Sequence, residues 1–228
     1  MTAYKQTGSE KLERIAVAVD TVIFSVIKEK LCVFLIQIAS GPYAKKWAIP
    51  GGLVRKDESI EEAVKRVLSE KAGVDGVYLE QLATFGDPKR DIRSRSIVVA
   101  YFSLVNSDEF APKTSEYYSG IAWHEVKHLP PLAFDHKTII AYGYARLKNK
   151  LSYSNIAYAL LPSEFTLTDI QSLYENILGR PVDKRNFRKK IIDIRLIHET
   201  GATKRNGPSR PAKLYAFSDR KPKIIDVL

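Results

Sequence analysis

Residues 52–74 read GLVRKDESIEEAVKRVLSEKAGV. Within this stretch Ile60, Ala63, Val64, Val67 and Leu68 recur at the three- and four-residue spacing of one helical face, which predicts a helix over 59–72. Ser59 or Asp57 can accept from its free backbone N–H groups, and Gly73 can end it in the left-handed conformation. Val67 and Lys71 are four residues apart and share one edge of that helix. Glu58, Arg66 and Glu70 supply charges of both signs around it.

Upstream, 15–27 (IAVAVDTVIFSVI) and 31–38 (LCVFLIQI) are β-rich apolar runs joined by Lys28-Glu29-Lys30, the pattern of a hairpin. A short extended piece, Trp47-Ala48-Ile49-Pro50, leads into the Gly51-Gly52 turn. Downstream, 77–85, 96–104 and 121–123 read as strands, and Asp135 can cap a helix over 136–148. Strands and helices alternating over about 150 residues predict one α+β domain. The polar stretch 147–154 (LKNKLSYS) marks the expected boundary, dividing the chain into 1–150 and 151–228.

The second part has a different order. A short connecting helix is expected over 154–161, an amphipathic helix over 166–178 ending at Gly179, a Pro181-Val182-Asp183 turn, and a helix over 183–194 with Phe187, Ile191 and Ile194 on one face. Short strands at 196–197 and 213–217 flank a basic Gly/Pro-rich loop, 201–211. Helix, turn, helix and basic β-loop is the order of a winged helix-turn-helix.

Charge separates the two parts. Lys and Arg outnumber Asp and Glu by 36 to 26, but within 180–213 the ratio is 11 to 3. Such density beside a helix-turn-helix pattern favours an anionic polymer as partner over a merely solvated face. Lys184, Arg185 and Asn186 stand in the first turn of the second helix with Arg188 and Lys189 one turn on, where side chains reach base edges and phosphates. Lys204, Arg205, Arg210 and Lys213 in the β-loop are suited to phosphates. The rival reading is a basic surface for RNA or for an acidic protein.

Composition narrows the setting. Hydrophobic residues make up 45% of the chain, which excludes wholesale disorder. The single cysteine, Cys32, lies in an apolar run and excludes an internal disulfide framework and a cysteine-built zinc site. No apolar run reaches membrane-span length, and 1–14 lacks an apolar targeting core, so a cytoplasmic protein is expected. His124 and His128 have a spacing compatible with a metal, but no third ligand is evident and none is assigned.

The stretch 52–74 resembles the Nudix box, G-x5-E-x7-R-E-U-x-E-E-x-G-U, where U is bulky and apolar. Gly52, Glu58, Arg66, Leu68, Glu70, Gly73 and Val74 occupy matching positions. The resemblance implies a Nudix-like α/β/α sandwich. In active members three helix glutamates hold the divalent ion that neutralises a pyrophosphate. Here Val67 and Lys71 replace two of them, so no enzyme activity, cofactor or metal is assigned, and Mg2+ is disfavoured. The family gives Arg66 the role of bridging box glutamates. Lys71 is read either as a surface lysine paired with a glutamate or as an ammonium standing in for the metal.

A loop rich in cations, 85–95, suits phosphate or carboxylate recognition through Arg90, Arg93 and Arg95. Together with Gln81, Phe85-Gly86-Asp87 and Ala100-Tyr101-Phe102 it is similar to the ADP-ribose-directed branch, with Ile92 and Ser94 where that branch often has Pro and Gly. The expected ligand set is Glu58, Arg66, Glu70, Lys71, Arg90, Arg93 and Arg95. The C-terminal unit resembles the DNA-binding domain of Nudix-related transcriptional regulators of the NrtR type.

That resemblance covers roughly 15–217. It implies a homodimeric repressor on a palindromic double-stranded DNA operator, with ADP-ribose or a related nucleotide as small-molecule effector and NAD-metabolism genes as targets. Alternatives are a sugar-responsive regulator of the arabinose type, an active ADP-ribose pyrophosphatase with a nucleic-acid-binding module, and a structural RNA-binding protein.

Overall fold

A computed structural model of the chain describes residues 14–107, 118–205 and 211–228. Strands β1 (Ala16–Ile27) and β2 (Lys30–Ile38) form the expected hairpin, with Lys28 and Glu29 both at positive φ in its two-residue turn. Strands β3 (Trp47–Ala48) and β4 (Gly51–Leu53) follow, then helix α1 (Ile60–Ala72), β5 (Tyr78–Phe85), β6 (Ser96–Leu104), β7 (Tyr118–Glu125) and helix α2 (His136–Tyr153). The sheet runs β3-β2-β1-β6-β5, with β4 also on β1 and β7 also on β2, and β1 and β6 pair in parallel.

Both faces of this sheet are covered, which is why its central strands read as continuous apolar runs. Val19, Ile23, Phe34, Val99 and Tyr101 pack against Val64, Val67 and Leu68 of α1. Val22, Phe24, Val33, Leu35, Ala100 and Phe102 face the opposite way, toward Ile139 and Ile140 of α2. The result is the α/β/α sandwich. Ser59 caps α1 in a reciprocal capping box with Glu62, and Gly73 ends it at φ 66°.

Helix α2 differs from expectation. It continues through 149–153, past the expected end at 148 and into the polar stretch, because Leu147 and Leu151 bury one turn apart and extend its apolar stripe. Asp135 occupies the capping position without a side-chain capping bond.

Beyond α2 the expected connecting helix is a single 3-10 turn, Ile156–Ala159. Helix α3 (Leu167–Leu178) is capped by Thr166 in a box with Asp169, and helix α4 (Lys184–Asp193) by Asp183. Strands β8 (Ile197–Lys204) and β9 (Ala212–Phe217) form the antiparallel hairpin of the wing. Ile170, Leu173, Tyr174, Phe187, Ile191 and Phe217 join the same apolar core that runs along α2. Tyr144 of α2 donates to the Ile177 carbonyl of α3 at 2.9 Å, so α2 ties the two units together.

Candidate ligand site and nucleic-acid interface

The structure brings the charges of the Nudix-box stretch into one closed network. Arg66 donates to both oxygens of Glu58, at 2.8 and 2.5 Å, to Glu70 at 3.3 Å and to the Leu53 carbonyl at 3.1 Å. Glu58 also accepts from the Arg55 backbone N–H, and the Arg66 guanidinium holds its carboxyl down to about 2. Arg55 adds a looser, exposed pair with Glu70 at 3.5 Å.

On the neighbouring edge Val67 is fully buried. Lys71 bends back, and its ammonium donates to the Gly51 carbonyl of the preceding turn. The same ammonium lies 5.8 Å from the centre of the Tyr118 ring. Burial pushes the Lys71 ammonium's pKa down, while the Asp20 and Glu70 carboxylates pull it back up.

These residues do not fit a divalent ion. Glu58 and Glu70 are engaged by Arg66, and the edge beside them presents an isopropyl group and an ammonium. Among the described residues no group of three His, Cys, Asp or Glu side chains is placed to hold a metal. His124 stacks edge-on against Trp47, whereas His128 reaches Glu125 at 3.3 Å, so the two histidines serve different contacts.

The three loop arginines have separate fates. Arg90 is buried, donating to Asp135 at 2.8 and 3.1 Å and to Ser96 Oγ at 3.1 Å, with Asp20 at 3.5 Å. It therefore staples the loop to β1, β6 and the start of α2. Arg95 holds the loop through the Gly86 carbonyl at 2.8 Å. Arg93 is more than half exposed; it pairs with Asp91 and lies over the rings of Phe134 and Tyr43 at 5.0 and 5.8 Å.

Asp20 and His136 also belong to this site, though no motif in the sequence marks them. Asp20 is a carboxylate inside an apolar run, and that misplaced charge was the available signal. His136 Nδ1 accepts from the Ile49 N–H at 3.1 Å, so its proton sits on Nε2 and is donated to Asp20 at 3.2 Å.

In the C-terminal unit, Lys184, Arg185, Asn186 and Lys189 are exposed on α4, while Phe187 and Ile191 face the core. Two cations in the first turn of a helix oppose its dipole, a cost that an anionic partner relieves. Arg188 turns back to α3, donating to Gln171 at 3.1 Å and Thr168 at 3.2 Å. Lys204 and Arg205 are exposed at the wing, and Lys213 pairs with Glu199 at 2.9 Å. Arg210 lies outside the described residues.

Residues 15–143 match the NUDIX domain family, and residues 157–217 match the family described as NrtR DNA-binding winged helix domain. The chain belongs to the NrtR-type, Nudix-related DNA-binding transcriptional regulators. This NrtR-type chain is 39% identical over 204 residues to the "ADPR responsive transcriptional repressor NtrR" of Acinetobacter baylyi, covering 88% of this chain and 81% of that one. The crystal structure of Shewanella oneidensis NrtR with a 27mer DNA superposes with a TM-score of 0.78 at 34% identity, covering 89% of this chain and 93% of that one. The Nudix domain of the same Shewanella protein, crystallised with ADP ribose, gives 0.54 at 33% identity over 62% of this chain and 94% of that one.

Proposed function

We propose that this NrtR-type regulator is a repressor whose Nudix domain, 1–150, binds ADP-ribose or a closely related nucleotide, and whose winged helix, 151–228, holds a palindromic operator as one half of a homodimer. NAD-metabolism genes are its proposed targets. The observation that carries this reading is a Nudix box unfit for its metal, built on a scaffold whose α2 continues into a DNA-binding unit. The effector named for the Acinetobacter relative and the ligand held by the Shewanella Nudix domain support the choice of nucleotide.

In this reading Lys71 and Arg93 meet the effector, while Arg66, Glu58 and Glu70 shape the turn before α1, and Arg90 and Arg95 hold the loop. Lys184, Arg185, Asn186 and Lys189 read or grip DNA from α4. Lys204, Arg205, Arg210 and Lys213 grip phosphates from the wing, and Arg188 fixes α4 against α3. Helix α2 is the coupling element. Its start is tied to the ligand side by Asp135–Arg90 and His136–Asp20, and its later turns to α3 by Tyr144. An effector that favours the DNA-free arrangement lowers operator affinity by the ratio of its affinities for the two states.

The test is a gel shift on the DNA adjoining this protein's own gene, titrated with ADP-ribose and, in parallel, with arabinose. ADP-ribose is expected to release the DNA. Unchanged DNA affinity at saturating ADP-ribose sinks the proposal, as does AMP release from ADP-ribose at about 1 s⁻¹ or faster, an ordinary enzyme rate.

A further inference from the structure

We propose that Lys71 supplies, from inside the fold, the positive charge against which an effector diphosphate is held, so that binding at this Nudix box needs no divalent ion. The inference rests on the reading of the chain as an effector-controlled regulator and names the chemistry of its ligand site.

Lys71 lies on the α1 edge where a metal-binding glutamate would stand, and its ammonium is drawn over the Gly51-Gly52 turn rather than out into solvent. A β-carbon on Gly52 would lie 3.8 Å from that nitrogen, so the bare glycine brings the turn close to the charge. An ammonium has three N–H donors. Among the described residues one is taken by the Gly51 carbonyl, and the Tyr118 ring face at 5.8 Å is a weak partner for another.

Asp20 and Glu70 act on the ammonium through space, but the surrounding carboxylates spend their hydrogen bonds elsewhere. Asp20 Oδ2 serves His136 at 3.2 Å and Arg90 at 3.5 Å. Glu58 and Glu70 serve Arg66. A largely buried cation with spare donors is costly in the empty protein and is satisfied by an incoming anionic oxygen. A divalent ion would instead meet this ammonium at close range and be repelled. One fixed charge inside the protein thus does the neutralising work of the ion without polarising phosphorus for attack by water, which suits a site that binds a diphosphate and leaves it whole.

The experiment is calorimetric titration of the full chain with ADP-ribose, in EDTA and again in millimolar Mg2+, with inorganic pyrophosphate and ribose 5-phosphate as further probes. Kd for ADP-ribose is expected to agree within twofold between the two buffers. Lys71→Met is expected to weaken binding at least tenfold without lowering the melting temperature of the ligand-free protein. Lys71→Glu is expected to abolish binding in EDTA.

A wild-type Kd that tightens tenfold or more with Mg2+ overturns the inference, and this arm needs no variant to fold. So does a Lys71→Met protein that melts lower yet binds equally well, which makes Lys71 a purely structural tie. If ADP-ribose fails to bind but pyrophosphate binds in EDTA in a Lys71-dependent way, the diphosphate site stands and the choice of ADP-ribose as effector falls. If neither diphosphate binds, the inference falls, and the gel shift alone then judges the regulator.

Discussion

The Arg90 guanidinium and the Asp135 carboxylate meet through two hydrogen bonds of 2.8 and 3.1 Å, and this pair joins the loop after β5 to the first residue before α2. It explains why Asp135 stands at the capping position yet does not cap: its oxygens face the guanidinium. Removing the cation leaves Asp20 and Asp135 without their shared partner beside a fully packed sheet. Arg90→Met is therefore expected to destabilise the fold by about 3–5 kcal/mol, the usual cost of breaking a buried pair from one side. Urea unfolding measures it, and a loss below about 1 kcal/mol contradicts the staple role.

Gly51 and Gly52 are adjacent but unequal. A β-carbon on Gly51 would fall 1.7 Å from Asp20 Oδ1 and 3.0 Å from the Val19 carbonyl, and Asp20 is held by Arg90 and His136. On Gly52, among the described residues, it would meet Val67 Cγ2 at 3.2 Å and the Lys71 nitrogen at 3.8 Å. Overpacking of this kind costs about 1–3 kcal/mol. Gly51→Ala is expected at or beyond the top of that range and Gly52→Ala near the bottom. Equal melting temperatures for the two variants would show that the Asp20 cluster yields.

Glu58 predicts an acid limb. Its folded pKa is about 2 against an ordinary 4.5, lowered by Arg66, so the unfolded chain binds the proton more readily. The stability it contributes is complete above about pH 4.5 and is lost as the pH falls toward 2. Glu58→Gln removes that titration. The melting temperature of the wild type should therefore fall more steeply than that of the variant across this window, and parallel curves would refute the assignment.

The winged helix predicts two kinds of DNA-binding loss. Arg185→Ala on α4 is expected to cost about 1–3 kcal/mol and to relax sequence preference, as loss of a base contact does. Lys204→Ala on the wing is expected to weaken all sequences alike and to reduce the salt slope by about 1, as loss of a phosphate contact does. Fluorescence anisotropy on operator and scrambled duplexes at several salt concentrations separates them. A Lys204→Ala protein with an unchanged salt slope removes the wing from the interface.

Much of this molecule was legible in its sequence because the deciding signals are local. The apolar spacing from Ile60 to Leu68, Ser59 before it and Gly73 after it specify α1, and the structure holds both caps. The charges of the α4 first turn are equally local, whereas the capping bonds of Thr166 and Asp183 came only with the structure. The stretch 147–153 is helical although it carries no strong local signal. Its composition is polar, yet Leu147 and Leu151 find a core built by residues far along the chain.

The sequence by itself determined the two-unit architecture, the family, and the loss of two metal-binding glutamates, since each is a matter of residue type at fixed offsets. Only the tertiary structure decided which cations remain available to a partner. Arg66, Arg90, Arg93 and Arg95 are alike as residues in a string. Folding gives Arg90 to Asp135 and Asp20, and Arg66 to Glu58, while Arg93 stays at the surface and Lys71 bends over the Gly51 turn. The reason is distance along the chain. A helix fixes neighbours three or four positions away, but Asp20 and Asp135 reach Arg90 across 70 and 45 positions, and only the packed sheet brings those charges within hydrogen-bonding range.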